Sequence, residues 1–208
     1  MKTLLAFGDS NTWGLIPGTH PLTRFPYEKR WTGILQEKLE DDIRIVEEGL
    51  CGRTTVFEDS LRPGRRGLAS LPQILESHAP IDAVTIMLGT NDCKSFYGAS
   101  AHTIGKGVEL CLDEILKYIS PSKVLLMSPI HLGEEVWHQD KDPEFDRRSV
   151  EVSRELKEVY KKIADRKGVS FLAASDIVKA SPVDDEHLDE DGHKIFAEAV
   201  YSKIREII

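Results

Sequence analysis

A serine that could act as a nucleophile follows the first apolar segment of the chain. The run Leu4–Phe7 ends at Gly8, and Ser10 comes two residues later. At this position the hydroxyl of Ser10 could attack an acyl carbon, while its own backbone N–H could stabilise the negative oxygen that forms. A serine here is also typical of a helix N-cap, and this segment by itself favours that simpler interpretation.

Two further segments could donate hydrogen bonds to the same oxygen. Gly52 follows the second apolar run, where a glycine lets its backbone approach a ligand closely. Asn91 follows the third run, and its side-chain amide is a donor. Taken separately, the segment at Gly52 is interpreted as a glycine turn and the segment at Asn91 as an Asx-turn. Taken with the N–H of Ser10, they could form an oxyanion hole.

A general base for such a serine is predicted near the end of the chain. Asp184 and His187 are three residues apart in a polar segment. A turn there lets the carboxylate accept from one ring nitrogen while the other nitrogen faces the serine. Asp185 is an alternative partner for the imidazole, at a less favourable spacing. Without Ser10, His187 would be interpreted as a solvated histidine among acidic residues.

Short apolar runs, alternating with helical periodicity, must position these side chains. The runs cover residues 4–7, 43–46, 83–88, 124–127 and 169–172. Continuous apolar runs are typical of strands buried on both faces of a parallel sheet. The sequence therefore predicts an α/β fold, a three-layer α/β/α sandwich with a five-stranded parallel sheet in the flavodoxin-like order 2-1-3-4-5. We expect one domain over residues 1–208.

The predicted strand order brings the polar segments together. Strands 1 and 3 flank the topological switch point, so Ser10 and Asn91 open onto one crevice and Gly52 lies beside it. A helix cap and two turns with unrelated roles would not be expected to lie together at one crevice. Two long connections, residues 11–29 and 129–148, are typical of the rims, lids or contact surfaces of a functional site.

Composition and charge exclude several classes of protein. Apolar residues make up 40% and charged residues 30% of the 208 residues, as in ordinary globular proteins. The formal net charge of −8 argues against binding to nucleic acid or to an anionic membrane surface. No apolar run approaches the roughly 18 residues of a membrane helix, and the apolar start is too short for a signal peptide. Three cysteines without CxxC spacing indicate a reduced, cytoplasmic chain.

Four separated blocks resemble the GDSL family of lipases and esterases, also called SGNH hydrolases. In order, the blocks are Gly8-Asp9-Ser10, Gly52, Gly89-Thr90-Asn91-Asp92 and Asp184-x-x-His187. The resemblance implies Ser10 as the nucleophile, His187 as the general base and Asp184 as the residue that orients the imidazole. It also implies an oxyanion hole formed by the Ser10 and Gly52 N–H groups and the Asn91 amide, with no cofactor and no metal.

A closer resemblance is to the arylesterase and acyltransferase (perhydrolase) branch of this family. It is carried by residues 7–14, 30–33, 47–50, 53–55 and 86–92. It implies a small-molecule ester substrate with a short-chain acyl or aryl group, acyl transfer to alcohols or peroxide, and a homo-oligomer. By the same resemblance Trp13 would line the acyl pocket; the alternative is that Trp13 packs against the long first loop.

Two other functions stay open from the sequence. A carbohydrate-ester deacetylase would share this mechanism and differ only in the shape of its pocket. A non-catalytic, flavodoxin-like domain would bind FMN at the switch point, although Asp9 would repel the phosphate. Residues 187–198 also nearly match an EF-hand loop, but a histidine stands at the first ligand position, so we do not predict calcium binding.

Overall fold

The computed structural model describes residues 1–208, except for the side chain of Asp41. Its centre is a sheet formed by β1 (Lys2–Gly8), β2 (Ile43–Gly49), β3 (Ala83–Met87), β4 (Val124–Ser128) and β5 (Ser170–Ala173). All four pairings are parallel, and the strand order is β2-β1-β3-β4-β5. The predicted fold class and strand order are therefore confirmed.

Helices cover both faces of the sheet and complete the three layers. They are α1 (Ser10–Trp13), α2 (Trp31–Leu39), α3 (Gly67–Ser77), α4 (Ala101–Ile115), α5 (Arg147–Lys167) and α6 (Glu190–Ile207). Apolar residues of α3, α4 and α5 pack in one core cluster, and those of α2 and α6 pack in the cluster on the opposite face. Within the described residues, no helix has both the length and the apolarity that crossing a membrane requires.

The continuous apolar runs form strands because both of their faces are covered. Every residue of β3 and β4 is buried, and β1 is buried from Leu4 onward. At the edge of the sheet β5 is only partly buried, and Ala173 is its one buried residue. The helix α4 ends at Ile115 with Leu116 as its C-cap, and the N–H of Leu116 still donates to the carbonyl of Leu112.

Two glycines allow α1 to lie against the carboxyl edge of the sheet. A Cβ on Gly8 would lie 2.1 Å from the hydroxyl oxygen of Thr12, and one on Gly49 would lie 2.2 Å from the backbone nitrogen of Trp13. Gly8 pairs with Gly49 in the sheet, so the two close approaches occur side by side. The absence of side chains at these positions lets the helix begin immediately after the strand.

A buried tyrosine connects α5 to the end of β3. Tyr160 is fully buried, and its hydroxyl donates to the carbonyl of Leu88 at 2.9 Å. A Cβ on Gly89 would lie 2.5 Å from that hydroxyl oxygen, and Gly89 has φ +126. The tyrosine therefore supports the backbone just before Asn91, where the polar segment after β3 begins.

We predict that Tyr160→Phe lowers the free energy of unfolding by about 1–2 kcal/mol, because a buried carbonyl loses its side-chain donor. Urea denaturation followed by circular dichroism measures the change. Tyr118→Phe is the matched control, since the Tyr118 hydroxyl contacts Glu76 on the exposed surface, and it should change the value by less than about 0.5 kcal/mol. Equal effects of the two substitutions would contradict this role for Tyr160.

Candidate active site

Ser10 occupies the first position of α1, directly beyond the carboxyl end of β1. Asp9 is the N-cap of this helix, and its carboxylate accepts from the backbone N–H of Asn11 at 3.0 Å. The N-cap is thus Asp9 rather than Ser10, which leaves the Ser10 hydroxyl available for another partner. Ser10 is buried and lines a cavity.

The loop before α6 brings the predicted acid and base to this serine. Nε2 of His187 lies 2.8 Å from Oγ of Ser10, and Nδ1 lies 2.8 Å from Oδ2 of Asp184. The three residues therefore form a continuous hydrogen-bonded chain in which the histidine bridges the hydroxyl and the carboxylate. This is the geometry in which an imidazole can take the serine proton while a carboxylate fixes its tautomer.

Asp184 is held as a carboxylate by several donors. Besides the imidazole, it accepts from the backbone N–H groups of Glu186 (3.1 Å), His187 (3.0 Å) and Gly18 (3.1 Å). Burial acts to raise the pKa of Asp184, but these hydrogen bonds and the nearby His187 hold it below its ordinary value. The donor from Gly18 also attaches the long first loop directly to the acid.

Asp185, the alternative partner for the imidazole, faces a different part of the molecule. Its backbone has φ +59, and its Oδ2 accepts from the N–H of Glu135 at 3.1 Å and from Nζ of Lys141 at 2.8 Å. The carbonyl of Asp185 accepts from the N–H of Gly133. Asp185 therefore anchors the loop of residues 129–148 to the segment that carries the histidine, and it does not orient the ring.

The predicted oxyanion donors are free to bind a ligand. Within the part of the chain that the structure describes, the backbone N–H groups of Ser10 and Gly52 have no hydrogen-bond acceptor. Gly52 has φ +82, which a residue with a side chain rarely adopts. One amide hydrogen of Asn91 binds the carbonyl of Arg53 at 3.2 Å, and the second is left for a ligand. All three residues line the same cavity.

Asp92 ties the segment after β3 to the segment after β2. It accepts from the backbone N–H of Thr55 at 3.0 and 3.1 Å and from the Thr55 hydroxyl. Burial raises the pKa of Asp92 to about 7, although the Thr55 hydrogen bonds oppose this. Burial likewise raises the pKa of Asp9 to about 6. These two carboxyls order the turns that carry Asn91 and Ser10.

One cavity of about 330 Å³ opens onto the reactive groups. Both long loops line it, which confirms that they form the rim of the crevice. The first loop contributes residues 15, 18, 19, 20 and 22, and the second contributes residues 140–144. Further charged side chains in the wall are Arg62, Lys94 and Glu186. Charged side chains and apolar side chains therefore both lie in the wall next to the serine.

Trp13 is not among the described residues that line this cavity. Its indole ring lies 5.2 Å from the guanidinium carbon of Arg24, which belongs to the long first loop and pairs with Glu47. This placement corresponds to the packing alternative. A contribution of Trp13 to an acyl pocket stays a prediction.

Two residues that the sequence analysis did not single out as part of the site hold it together. Asn11 donates its amide to the carbonyl of Glu186 at 3.3 Å and accepts from the N–H of Leu188 at 2.9 Å, so it binds both neighbours of His187. Arg53 is buried, and its guanidinium donates to the carbonyl of Gly8 at 2.9 Å. A lone arginine suggests a salt bridge or solvation, and only the fold shows that it binds strand ends.

Glu186 places a second carboxyl group beside the histidine. Its Oε1 lies 3.7 Å from Nε2 of His187. Burial acts to lower the pKa of His187, but the carboxylates of Glu186 and Asp184 outweigh it and hold the pKa above its ordinary value of 6.5. The histidine is therefore a stronger base than a free imidazole.

His193, Cys51 and the segment that resembles an EF-hand loop are explained by their contacts and burial in the fold. Nδ1 of His193 accepts from the N–H of Trp31 at 3.2 Å, and burial lowers the pKa of His193 to about 4, which keeps the ring neutral. Burial raises the pKa of Cys51 to about 12, so its thiol stays protonated. The segment that resembles an EF-hand loop is helical from Glu190 onward, and Asp189 caps that helix.

Known proteins share this architecture over the whole chain. The aryl esterase of M. smegmatis is 31% identical, covers 100% of both chains and superposes with a TM-score of 0.92. A carbohydrate acetylesterase from Sinorhizobium meliloti is 34% identical, with 100% of both chains covered and a TM-score of 0.91. An arylesterase from Vibrio mimicus is 35% identical over 94 residues, which span 44% of this chain and only 38% of that protein.

A family model matches nearly the full length of the sequence. Residues 6–195 match the GDSL-like Lipase/Acylhydrolase family. The match contains every block on which the resemblance was based, from the turn at Ser10 to the pair of Asp184 and His187. The chain therefore belongs to the GDSL-like lipase/acylhydrolase family of carboxylic ester hydrolases.

Proposed function

We propose that this protein hydrolyses small carboxylic esters, with a short-chain acyl or aryl group, through a covalent acyl-enzyme. Ser10 is the nucleophile, His187 the general base and Asp184 the residue that orients and stabilises the imidazole. The observation that carries the proposal is the pair of 2.8 Å contacts that His187 makes with Ser10 and Asp184. Such triads catalyse acyl transfer on unrelated folds, so the geometry of the three residues identifies them and the fold does not.

In the first half of the reaction, the Ser10 oxygen forms a bond to the ester carbonyl carbon while its proton passes to Nε2 of His187. The negative oxygen binds the free N–H groups of Ser10 and Gly52 and the second amide hydrogen of Asn91. Each such donor typically stabilises the transition state by roughly 3 kcal/mol. The bond to the leaving oxygen then breaks, and His187 returns the proton to that oxygen.

In the second half, water attacks the acyl-enzyme and loses its proton to His187. The tetrahedral intermediate collapses, and the protonated imidazole returns that proton to the Ser10 oxygen. An alcohol or hydrogen peroxide in place of water would give a new ester or a peracid by the same steps. The charged side chains in the cavity wall can hydrogen-bond such small hydroxylic acceptors, which supports this acyl transfer.

A carbohydrate ester is the second candidate substrate. The charged groups of the cavity wall, which include Arg62, Lys94, Lys141 and Glu144, favour a leaving alcohol with several hydroxyl groups. Three of them are engaged with one another, because Glu144 pairs with Lys94 and lies 3.7 Å from Arg62. Such a network can exchange hydrogen bonds with hydroxyl groups without leaving a charge unpaired.

We predict that Ser10→Ala lowers kcat/KM for p-nitrophenyl acetate by at least about 10³-fold, because the acyl-enzyme can no longer form. The assay uses purified protein with no added metal. Ser122→Ala is the control, since Ser122 is exposed near the amino end of β4, and it should retain full activity. Retention of more than a tenth of the activity in Ser10→Ala would rule out this nucleophile.

We predict that kcat/KM falls as the pH is lowered, with a midpoint above 6.5. Only the neutral imidazole accepts the serine proton. Since the pKa of His187 lies above its ordinary value, protonation removes the base at a higher pH than for a free histidine. A pH profile with p-nitrophenyl acetate tests this, and a rate that stays flat from pH 5 to 8 would contradict the assignment of His187.

We predict that the enzyme prefers glycerol monoacetate to ethyl acetate by about tenfold in kcat/KM. The two esters share an acyl group, and the extra hydroxyl groups of glycerol can bind the charged side chains of the cavity wall. Tenfold corresponds to about 1.4 kcal/mol, the value of roughly one net hydrogen bond. Acetate release measured with both esters decides the point, and equal values would remove the support for a polyhydroxylated leaving group.

A further inference from the structure

The carboxyl group of Glu186 is buried at the reacting nitrogen of the site and is not used by the mechanism above. Only 5% of Glu186 is exposed, yet the residue lines the cavity. Its Oε1 lies 3.7 Å from Nε2 of His187, the nitrogen that also lies 2.8 Å from Oγ of Ser10. Among the described residues, no donor makes a hydrogen bond to either oxygen of this carboxyl.

The backbone fixes the direction of this side chain. The N–H of Glu186 donates to Oδ1 of Asp184 at 3.1 Å, and its carbonyl accepts from the amide of Asn11 at 3.3 Å. These contacts lie on both sides of the Glu186 Cα atom. The turn that places the imidazole of His187 at Ser10 therefore also holds the Cα atom of Glu186, and the Glu186 carboxyl lies beside the imidazole.

Charged groups from three segments face this carboxyl. Asp184 and His187 belong to its own loop, Asp142 to the loop of residues 129–148, and Lys94 to the segment after β3. Burial raises the pKa of Glu186, His187 and Lys94 act to lower it, and the two aspartates act to raise it. The imidazole is the one group that both touches the carboxyl and changes its charge during the reaction.

His187 is accordingly flanked by carboxyls at both ring nitrogens. Asp184 accepts from Nδ1, and Glu186 faces Nε2. The negative charge of Asp9, in the turn after β1, also acts to raise the pKa of the ring. Since the imidazole becomes positive when it takes the serine proton, a carboxylate at Nε2 stabilises it at the moment of bond formation.

We propose that Glu186 is a positioning residue that acts through His187, making the imidazole a stronger base and stabilising its protonated form while Ser10 is attacking. The inference rests on the proposed serine mechanism. It gives Glu186 a role distinct from that of Asp184, because Asp184 fixes the tautomer through Nδ1 whereas Glu186 acts on the proton at Nε2.

Glu186→Gln tests the role, because it keeps the size of the side chain and removes its charge. We expect the acidic limb of the kcat/KM profile to move to lower pH by about one unit, which raises the activity at pH 6 about tenfold relative to the plateau. The plateau itself should fall by a smaller factor, because a weaker base takes the proton less readily. A purely structural glutamate would lower the rate equally at every pH.

A second measurement does not depend on activity. In histidine-labelled protein, the His187 ring signal is assigned by its absence in His187→Gln and titrated by NMR. Its midpoint should be lower in Glu186→Gln than in the wild type, and Glu186→Asp, which keeps a shorter carboxyl, should lie between. Glu190→Gln is the control for loss of a nearby carboxylate, since Glu190 is partly exposed and pairs with Lys29, and its midpoint should match that of the wild type.

The two outcomes separate this inference from the proposed function. An active wild type that loses its activity in Ser10→Ala supports the serine mechanism whatever Glu186 does. If Ser10→Ala is inactive, an unchanged acidic limb of the kcat/KM profile and an unchanged NMR midpoint in Glu186→Gln would overturn the role of Glu186 and leave the serine mechanism standing.

Discussion

The hydrogen bond between Ser10 and His187 joins the start of the chain to its last loop, across 177 positions of sequence. Most of the site is arranged so that these two side chains meet. Asn11 binds the residues on both sides of His187, Asp184 fixes the far nitrogen of the ring, and Gly18 ties the first loop to Asp184. The proposed proton transfer tolerates little displacement, and these several contacts hold the Ser10 hydroxyl and the His187 ring in place for it.

Buried carboxyl groups near the imidazole differ in their pKa because they differ in their donors. Asp184 accepts from three backbone N–H groups as well as the ring, and its pKa stays low. Asp9 has one backbone donor, and Glu186 has none among the described residues, so burial raises the pKa of both. The same chemical group thus has a pKa held low by several donors at Asp184 and a pKa raised by burial at Glu186, beside the same imidazole.

The proposed reacting groups and the charged cavity wall come from different parts of the fold. Ser10, Gly52 and Asn91 follow directly from the ends of β1, β2 and β3, where the sheet and its hydrogen bonds hold the backbone. The charged cavity wall comes largely from two long loops, and the second is anchored by Asp185 through Lys141. Loops tolerate change better than strand ends, so the chemistry can stay fixed while the leaving-group specificity varies.

The sequence by itself determined the strand order and the positions of Ser10, Gly52, Asn91 and the Asp184–His187 pair. Apolar runs ending in polar turns are local patterns, and parallel strands bring their carboxyl ends to one edge. Only the tertiary structure decided that Asp185 anchors a loop, that Arg53 binds strand ends and that Glu186 faces the base. The direction of a side chain in a loop depends on contacts with distant segments, which the order of neighbouring residues does not encode.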